Sequence, residues 1–125
     1  MSKTLELRKQ LQIIFKTITD NIHYEIAPDT SPYPYLVYEL SELTYNYGKA
    51  VMQLEVNILD YGTSTSVVET LSDTLQDKLN KYHFINDKIQ FNIYRLNKIT
   101  VQEEDKKIRR RRLTFEIQLH ELKGE

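Results

Sequence analysis

Residues 51–82 constrain this chain more than any other stretch. Val51-Met-Gln-Leu-Glu-Val-Asn-Ile-Leu-Asp-Tyr-Gly62 alternates: Met52, Leu54, Val56 and Ile58 fall between Gln53, Glu55 and Asn57. A period of two is a strand with one apolar and one wet face. Gly62 ends it, and Ser66-Val-Val-Glu69 predicts a capping box. Behind that, Val68, Leu71, Leu75, Leu79 and Tyr82 lie at helical spacing. Glu69 and Asp73 sit early and Lys78 and Lys81 late, as the helix dipole favours. A half-apolar strand feeding a half-apolar helix hides both faces when the helix lies on a sheet.

The flanks repeat the same grammar. Leu7, Leu11, Ile14, Phe15, Ile18 and Ile22 predict an amphipathic helix from Lys3 to about Thr19. A short extended piece, 23–27, follows. The run Ala-Pro-Asp-Thr-Ser-Pro-Tyr-Pro-Tyr holds all 3 prolines and reads as an ordered surface loop. Leu36, Tyr38 and Leu40 then alternate with Val37, Glu39 and Ser41, and Asn46-Tyr47-Gly48 turns this strand back antiparallel. After the second helix, 83–87 reads as a linker. Ile89, Phe91 and Ile93 open another strand, and Leu113, Phe115, Ile117 and Leu119 mark the last one. Between them 97–107 is irregular: Ile99–Val101 extends the strand or not, Gln102 to Lys107 has nothing to pack, and the whole segment 97–107 is an exposed loop or hairpin tip, expected to be mobile in the free subunit and ordered on assembly. The closing Leu-Lys-Gly-Glu reads as a frayed tail.

The expectation is a single α+β domain over 1–125, an antiparallel sheet of four to five strands with two helices packed on one face, in the order α-(β)-β-β-α-β-β.

Composition narrows function mainly by exclusion. With 17 basic and 18 acidic residues the chain has no overall pull toward nucleic acid or membrane. It has no cysteine, hence neither disulfides nor thiolate metal sites. No apolar run approaches membrane-spanning length, and the charged first residues lack a signal-peptide core, so a cytoplasmic site of synthesis is expected. Only 3 glycines leave little room for phosphate-cradling loops. His23, His83 and His120 are scattered without metal-ligand spacing. Glu103-Glu104-Asp105 is a solvated run, and helix capping accounts for Ser64, Thr65 and Ser66. Neither a catalytic set, nor a cofactor site, nor a metal site is expected.

Two features remain. Tyrosine is in excess, 9 against 4 Phe and no Trp, with Tyr45 and Tyr47 at the tip of the first hairpin. Tyrosine suits strands and binding surfaces alike. The second is Arg109, Arg110, Arg111 and Arg112 in succession. Arg110 and Arg112 belong on the polar face, while Arg109 and Arg111 continue the line of Leu113 and Phe115. Such a run needs acceptors: carboxylates such as Glu39, Glu42 or Glu55 on neighbouring strands, another subunit, or a polyanion. These six residues are the candidate partner surface.

Four ordered features resemble the tail-completion or tail-terminator proteins of long-tailed bacteriophages and their prophage relatives. They are the amphipathic first helix, the proline-flanked strand PYPYLVYELSE, the strand-to-helix stretch MQLEVNILDYGTSTSVVETLSDTLQDKL, and the arginine-headed last strand RRRRLTFEIQLHE. The resemblance covers nearly the whole chain and implies an α+β subunit without enzymatic activity. It implies a ring, commonly a hexamer, that caps the tail tube and joins it to the head, assembled in the host cytoplasm and resident in the virion. The partners implied are further copies of the chain, tail-tube and head-completion proteins, and genome DNA passing through the ring without specific recognition. A small nucleic-acid-binding module using the arginine strand is the rival reading, and an orphan enzyme or its regulatory subunit the third. The salt dependence of DNA binding discriminates the module.

Overall fold

The computed structural model describes residues 2–122. Helix α1 spans Lys3–Phe15, capped by the Ser2 side chain, which accepts from the Leu5 amide. The strands are β1 (Ile22–Tyr24), β2 (Tyr35–Asn46), β3 (Lys49–Tyr61), β4 (Tyr82–Ile85), β5 (Ile89–Val101) and β6 (Ile108–Glu121); helix α2 (Ser66–Leu79) lies between β3 and β4. All six strands form one curled sheet, a half-barrel, in the order β1-β2-β3-β6-β5-β4.

The alternation in the sequence becomes the two faces of this sheet. Leu36 and Tyr38 (β2), Met52, Leu54, Val56 and Ile58 (β3), Phe91 and Ile93 (β5), and Leu113, Phe115, Ile117 and Leu119 (β6) bury together with Leu7, Leu11 and Phe15 of α1 and Val68, Leu75 and Leu79 of α2. Both helices thus cover one face, as expected. Each buried Leu, Ile or Phe contributes roughly 1.5–3 kcal/mol of transfer free energy, which ordering entropy largely offsets.

Several expectations need correction. The sheet has six strands rather than four to five, and it is mixed: β1 runs parallel to β2, with Ile22, His23 and Tyr24 opposite Leu36, Val37 and Tyr38. The stretch 83–87 is largely β4 instead of a linker. Lys81 adopts a left-handed backbone (φ 63) that swings the chain straight from α2 into the sheet, so Tyr82 and Phe84 pack on the core from a strand. A strand of four residues is too short for its period to show. Helix α1 stops at Phe15 rather than Thr19, because Thr17 and Ile18 bond back to Ile14 and Phe15 in a tight three-residue pattern. Ile18 and Ile22 still pack against the core.

The capping box also fails. Thr65 precedes α2 without a side-chain cap, Ser64 accepts from the Ser66 amide, and the Glu69 carboxylate bonds elsewhere. The buried stripe of α2 is Val68, Ser72, Leu75, Gln76 and Leu79, with Leu71 on its margin. Residues 97–101 belong to β5 and pair with β6 as far as Val101 opposite Arg110, so only Gln102 to Lys107 forms the hairpin tip. Of the expected frayed tail, residues 123–125 lie outside the described residues.

Candidate functional site

Strand β6 carries its arginines past the end of the apolar row, beside the start of α2. Alternation divides them between the two faces, as expected. On the helix side the Arg109 guanidinium donates to the carbonyls of Gly62 and Thr63 at 3.1 and 3.2 Å, tying down the loop into α2. Arg111, 7% exposed, donates from Nε to Glu69 Oε1 at 3.0 Å. Lys98 of β5 reaches the same oxygen at 3.0 Å and Asp73 Oδ1 at 2.9 Å. Two cations therefore clamp the first turns of α2 onto the sheet. Hydrogen bonds from Arg111 and then Lys98 hold the Glu69 carboxyl below the usual carboxylate range. Burial works against the Lys98 charge, but the bonds to Asp73 and Glu69 outweigh it and raise its pKa.

On the other face Arg110 donates to Asn57 Oδ1 at 2.8 Å and to Glu103 Oε1 at 2.9 Å, anchoring the β5–β6 tip. Arg112 has only a loose approach to Glu55, 3.7 Å. Glu55 is thus the one carboxylate of the three expected acceptors that an arginine nears in a salt bridge; Glu42 pairs with Lys3 at 3.2 Å. Glu39 lies directly opposite Glu55 across the β2–β3 ladder. Burial first, then the Glu55 charge and its hydrogen bond, raise the Glu39 pKa, with Arg112 opposing. Glu39 and Glu55 line an open pocket of about 370 Å³ with Glu25, Tyr35, Asn57 and Arg110. Among the described residues no group of three or more His, Asp or Glu side chains is placed to hold a metal. His23 shares a hydrogen bond with Ser31 and His83 with Asn92, which employs both in local packing.

Tyr45 and Tyr47 stand at the opposite end of the sheet. Asn46 faces Lys49, which faces His120, whereas the arginines lie beside Asp60 to Asn57. The tip turns through Tyr47 (φ 51) and Gly48 (φ 82), both left-handed, the geometry that matches hairpin twist. Tyr47 is 99% exposed and Tyr45 52%, the latter with the Lys3 ammonium 5.3 Å from its ring centre. Other tyrosines pack: Tyr38 against Phe15 and Tyr24, and Tyr82 against Phe91. The six candidate residues therefore form two separate groups, one at each end.

The sequence reading missed a third feature, the sheet edges. Strand β1 covers β2 only over Leu36–Tyr38, and β4 covers β5 only over Gln90–Ile93. Beyond those points no strand among the described residues covers either one, with Leu43 and Tyr45 exposed on β2 and Tyr94, Leu96 and Ile99 on β5. Strand order decides which strands become edges, and no local pattern encodes it.

No family model matches the chain, and no curated protein matches it. The fold is similar to that of a chain in a solved structure described as "Virion of native gene transfer agent (GTA) particle". The TM-score is 0.67 and the identity 12%, over 86% of this chain and 84% of that one. At that identity the likeness is one of fold.

Proposed function

We propose that this chain is a structural, non-enzymatic component of a phage-like particle: one tail-terminator-like domain over 1–125 that caps the tail tube and joins tail to head. The observation that carries the reading is the likeness in fold, nearly end to end, to a chain of a gene transfer agent virion. The ordered resemblance read from the sequence supports it independently. A subunit that sits between a tail and a head needs distinct surfaces at two ends, and the sheet offers them. The tyrosine tip, Tyr45 and Tyr47, stands at one end, and the arginine end, Arg109 to Arg112 with Tyr33, Tyr35 and Tyr61 nearby, at the other. In this reading copies of the chain assemble as a ring, a hexamer, in the host cytoplasm and remain in the virion. Tail-tube and head-completion proteins meet the two ends, and genome DNA passes through without specific recognition.

The nucleic-acid module is the weaker reading, because three of the four arginines already bond acceptors inside the chain. The test is co-sedimentation with assembled tail tubes, beside a DNA titration at two salt concentrations. Capture by tail tubes with weak DNA binding is expected. Tight binding to DNA that falls steeply with salt, by a subunit that tail tubes never capture, overturns the proposal.

A further inference from the structure

We infer that copies of this chain join edge to edge, the uncovered half of β2 in one copy pairing antiparallel with the uncovered half of β5 in the next. The inference deepens the ring reading above and rests on it for the identity of the partner, a second copy of this chain.

Backbone parity comes first. Leu36 N–H donates to Asn21 and the Tyr38 carbonyl accepts from Glu25, so even-numbered residues of β2 aim their backbone groups off the edge. Strand alternation continues this to Leu40 and Glu42, which β1 does not reach. On β5 the Ile93 carbonyl and Arg95 N–H point outward, to the Lys81 amide and the Asn80 side chain. A bulge between Arg95 and Asn97 then shifts the outward set to Lys98 and Thr100. Among the described residues two rows of donors and acceptors remain without a strand partner, one on each edge. Uncovered edges are templates for another strand unless something blunts them. Here each strand is bulged, β2 between Glu42 and Thr44 and β5 between Arg95 and Asn97, but Ser41, Glu42 and Lys98 to Thr100 lie outside the bulges, neither row carries a proline, and both strands carry large exposed apolar side chains.

Direction and shape agree. In the order β2-β3-β6-β5 each neighbour is antiparallel, so β2 and β5 run in opposite directions. A second copy in the same orientation therefore presents β5 antiparallel to β2, and the helices stay on one side of the continued sheet. The two uncovered halves are diagonal. That of β2 lies toward the tyrosine tip, below β1, and that of β5 toward the arginine end, beyond β4. Each edge is a step, and the steps interlock when neighbours are staggered.

Placing Glu42 opposite Lys98 aligns Leu40 with Thr100 and Ser41 with Ile99, with the outward backbone groups of both strands facing one another. Lys98 lies level with Tyr38 through Leu113 and Val56, so the stagger is four residues, Tyr38 to Glu42, ~13 Å. Closing a sheet on itself requires such a stagger. The contact is heterologous, so it makes a ring when the rotation closes.

Cross-linking tests it. The chain has no cysteine, so the pair Ser41→Cys with Ile99→Cys introduces its only thiols, at opposite edges of the sheet. Opposed across a shared ladder, their Cβ atoms come within about 5 Å. Mild oxidation of dilute protein is expected to yield a reducible ladder of covalent multimers. Ser41→Cys with Glu104→Cys, equally exposed but not opposed, is expected to give far less. Thr100→Pro removes one outward donor at an edge position where proline is tolerated. It is expected to melt like the parent and associate roughly tenfold more weakly. If Thr100→Pro fails to fold, the cysteine pair decides alone. Equal cross-linking by the two pairs, undiminished association by a folded Thr100→Pro protein, or a parent that stays monomeric overturns the edge pairing. The virion reading is judged separately, by tail-tube capture, so a specific ladder from a protein that tail tubes ignore keeps this inference and removes that one.

Discussion

Glu69 and Glu39 are both surface-facing carboxylates, yet the fold treats them oppositely. Glu69 receives Arg111 and Lys98, and its pKa falls below the ordinary 4.5. A depressed folded pKa stabilises above the unfolded value, and that stability is lost as pH drops through the folded one. Glu39 faces Glu55, and its pKa rises. The native state then holds its proton more tightly than the unfolded chain, so stability declines as pH climbs from about 4.5 through the raised value. Urea denaturation at pH 7 and again near pH 3 separates them. Glu69→Gln is expected to cost about 1–2 kcal/mol at pH 7, since it weakens the bond of nearly buried Arg111 while its own exposure screens the pair. Glu39→Gln is expected to stabilise by about 0.5 kcal/mol at pH 7, the scale of a like-charged cross-strand pair. The Glu39 difference should shrink once pH falls below the ordinary 4.5, and the Glu69 difference only as pH drops through its lowered folded value.

At the level of elements, α2 and the β5–β6 hairpin give the sharpest expectations. Leu75 has no exposed surface and Leu71 sits on the rim of the core. Leu75→Asp leaves an unpaired carboxylate in the core, a penalty of several kcal/mol against a marginal total, and is expected to unfold the chain. Leu71→Asp keeps its charge near water and should lower the urea midpoint without abolishing the transition. Equal effects would mean that α2 is rotated from the orientation described. In the hairpin, the ladder holds 97–101 while Gln102 to Lys107 lies outside it, tethered by Glu103 to Arg110 and by Asp105 to the Lys107 amide. Trypsin is expected to cut first after Lys106 or Lys107. First cleavage after Lys98 would contradict the strand assignment.

For the whole molecule, the relevant property is that the tyrosine tip and the arginine end point away from one another. Removing the tip side chains by Tyr45→Ala with Tyr47→Ala touches little of the core, since both rings are at least half exposed. Melting is expected to change by less than about 1 kcal/mol, whereas capture by tail tubes or by the head-side partner should fall at least severalfold. Unchanged capture of both partners by the folded variant removes the tip from the assembly surface. Arg110→Glu acts differently, because its guanidinium already bridges Asn57 and Glu103 and the new carboxylate would join Glu39 and Glu55 in one pocket. That substitution is expected to lower stability before it reports on any partner.

By itself the sequence determined which residues alternate and which recur at helical spacing, because those periods depend only on local backbone geometry. Hence the long strands, both helices, the tyrosine turn, the core residues and the division of the arginines between two faces were all legible in it. Its local signals misled where tertiary contacts outbid them, as when Arg111 and Lys98 drew Glu69 away from a capping box. Only the tertiary structure decided the strand order, the parallel β1, the conversion of 82–85 into β4 and the acceptors of each arginine. It also decided that β2 and β5 each run half uncovered at opposite edges. All of these are long-range pairings, set by which surfaces the folded chain brings together, and no window of neighbouring residues contains that information.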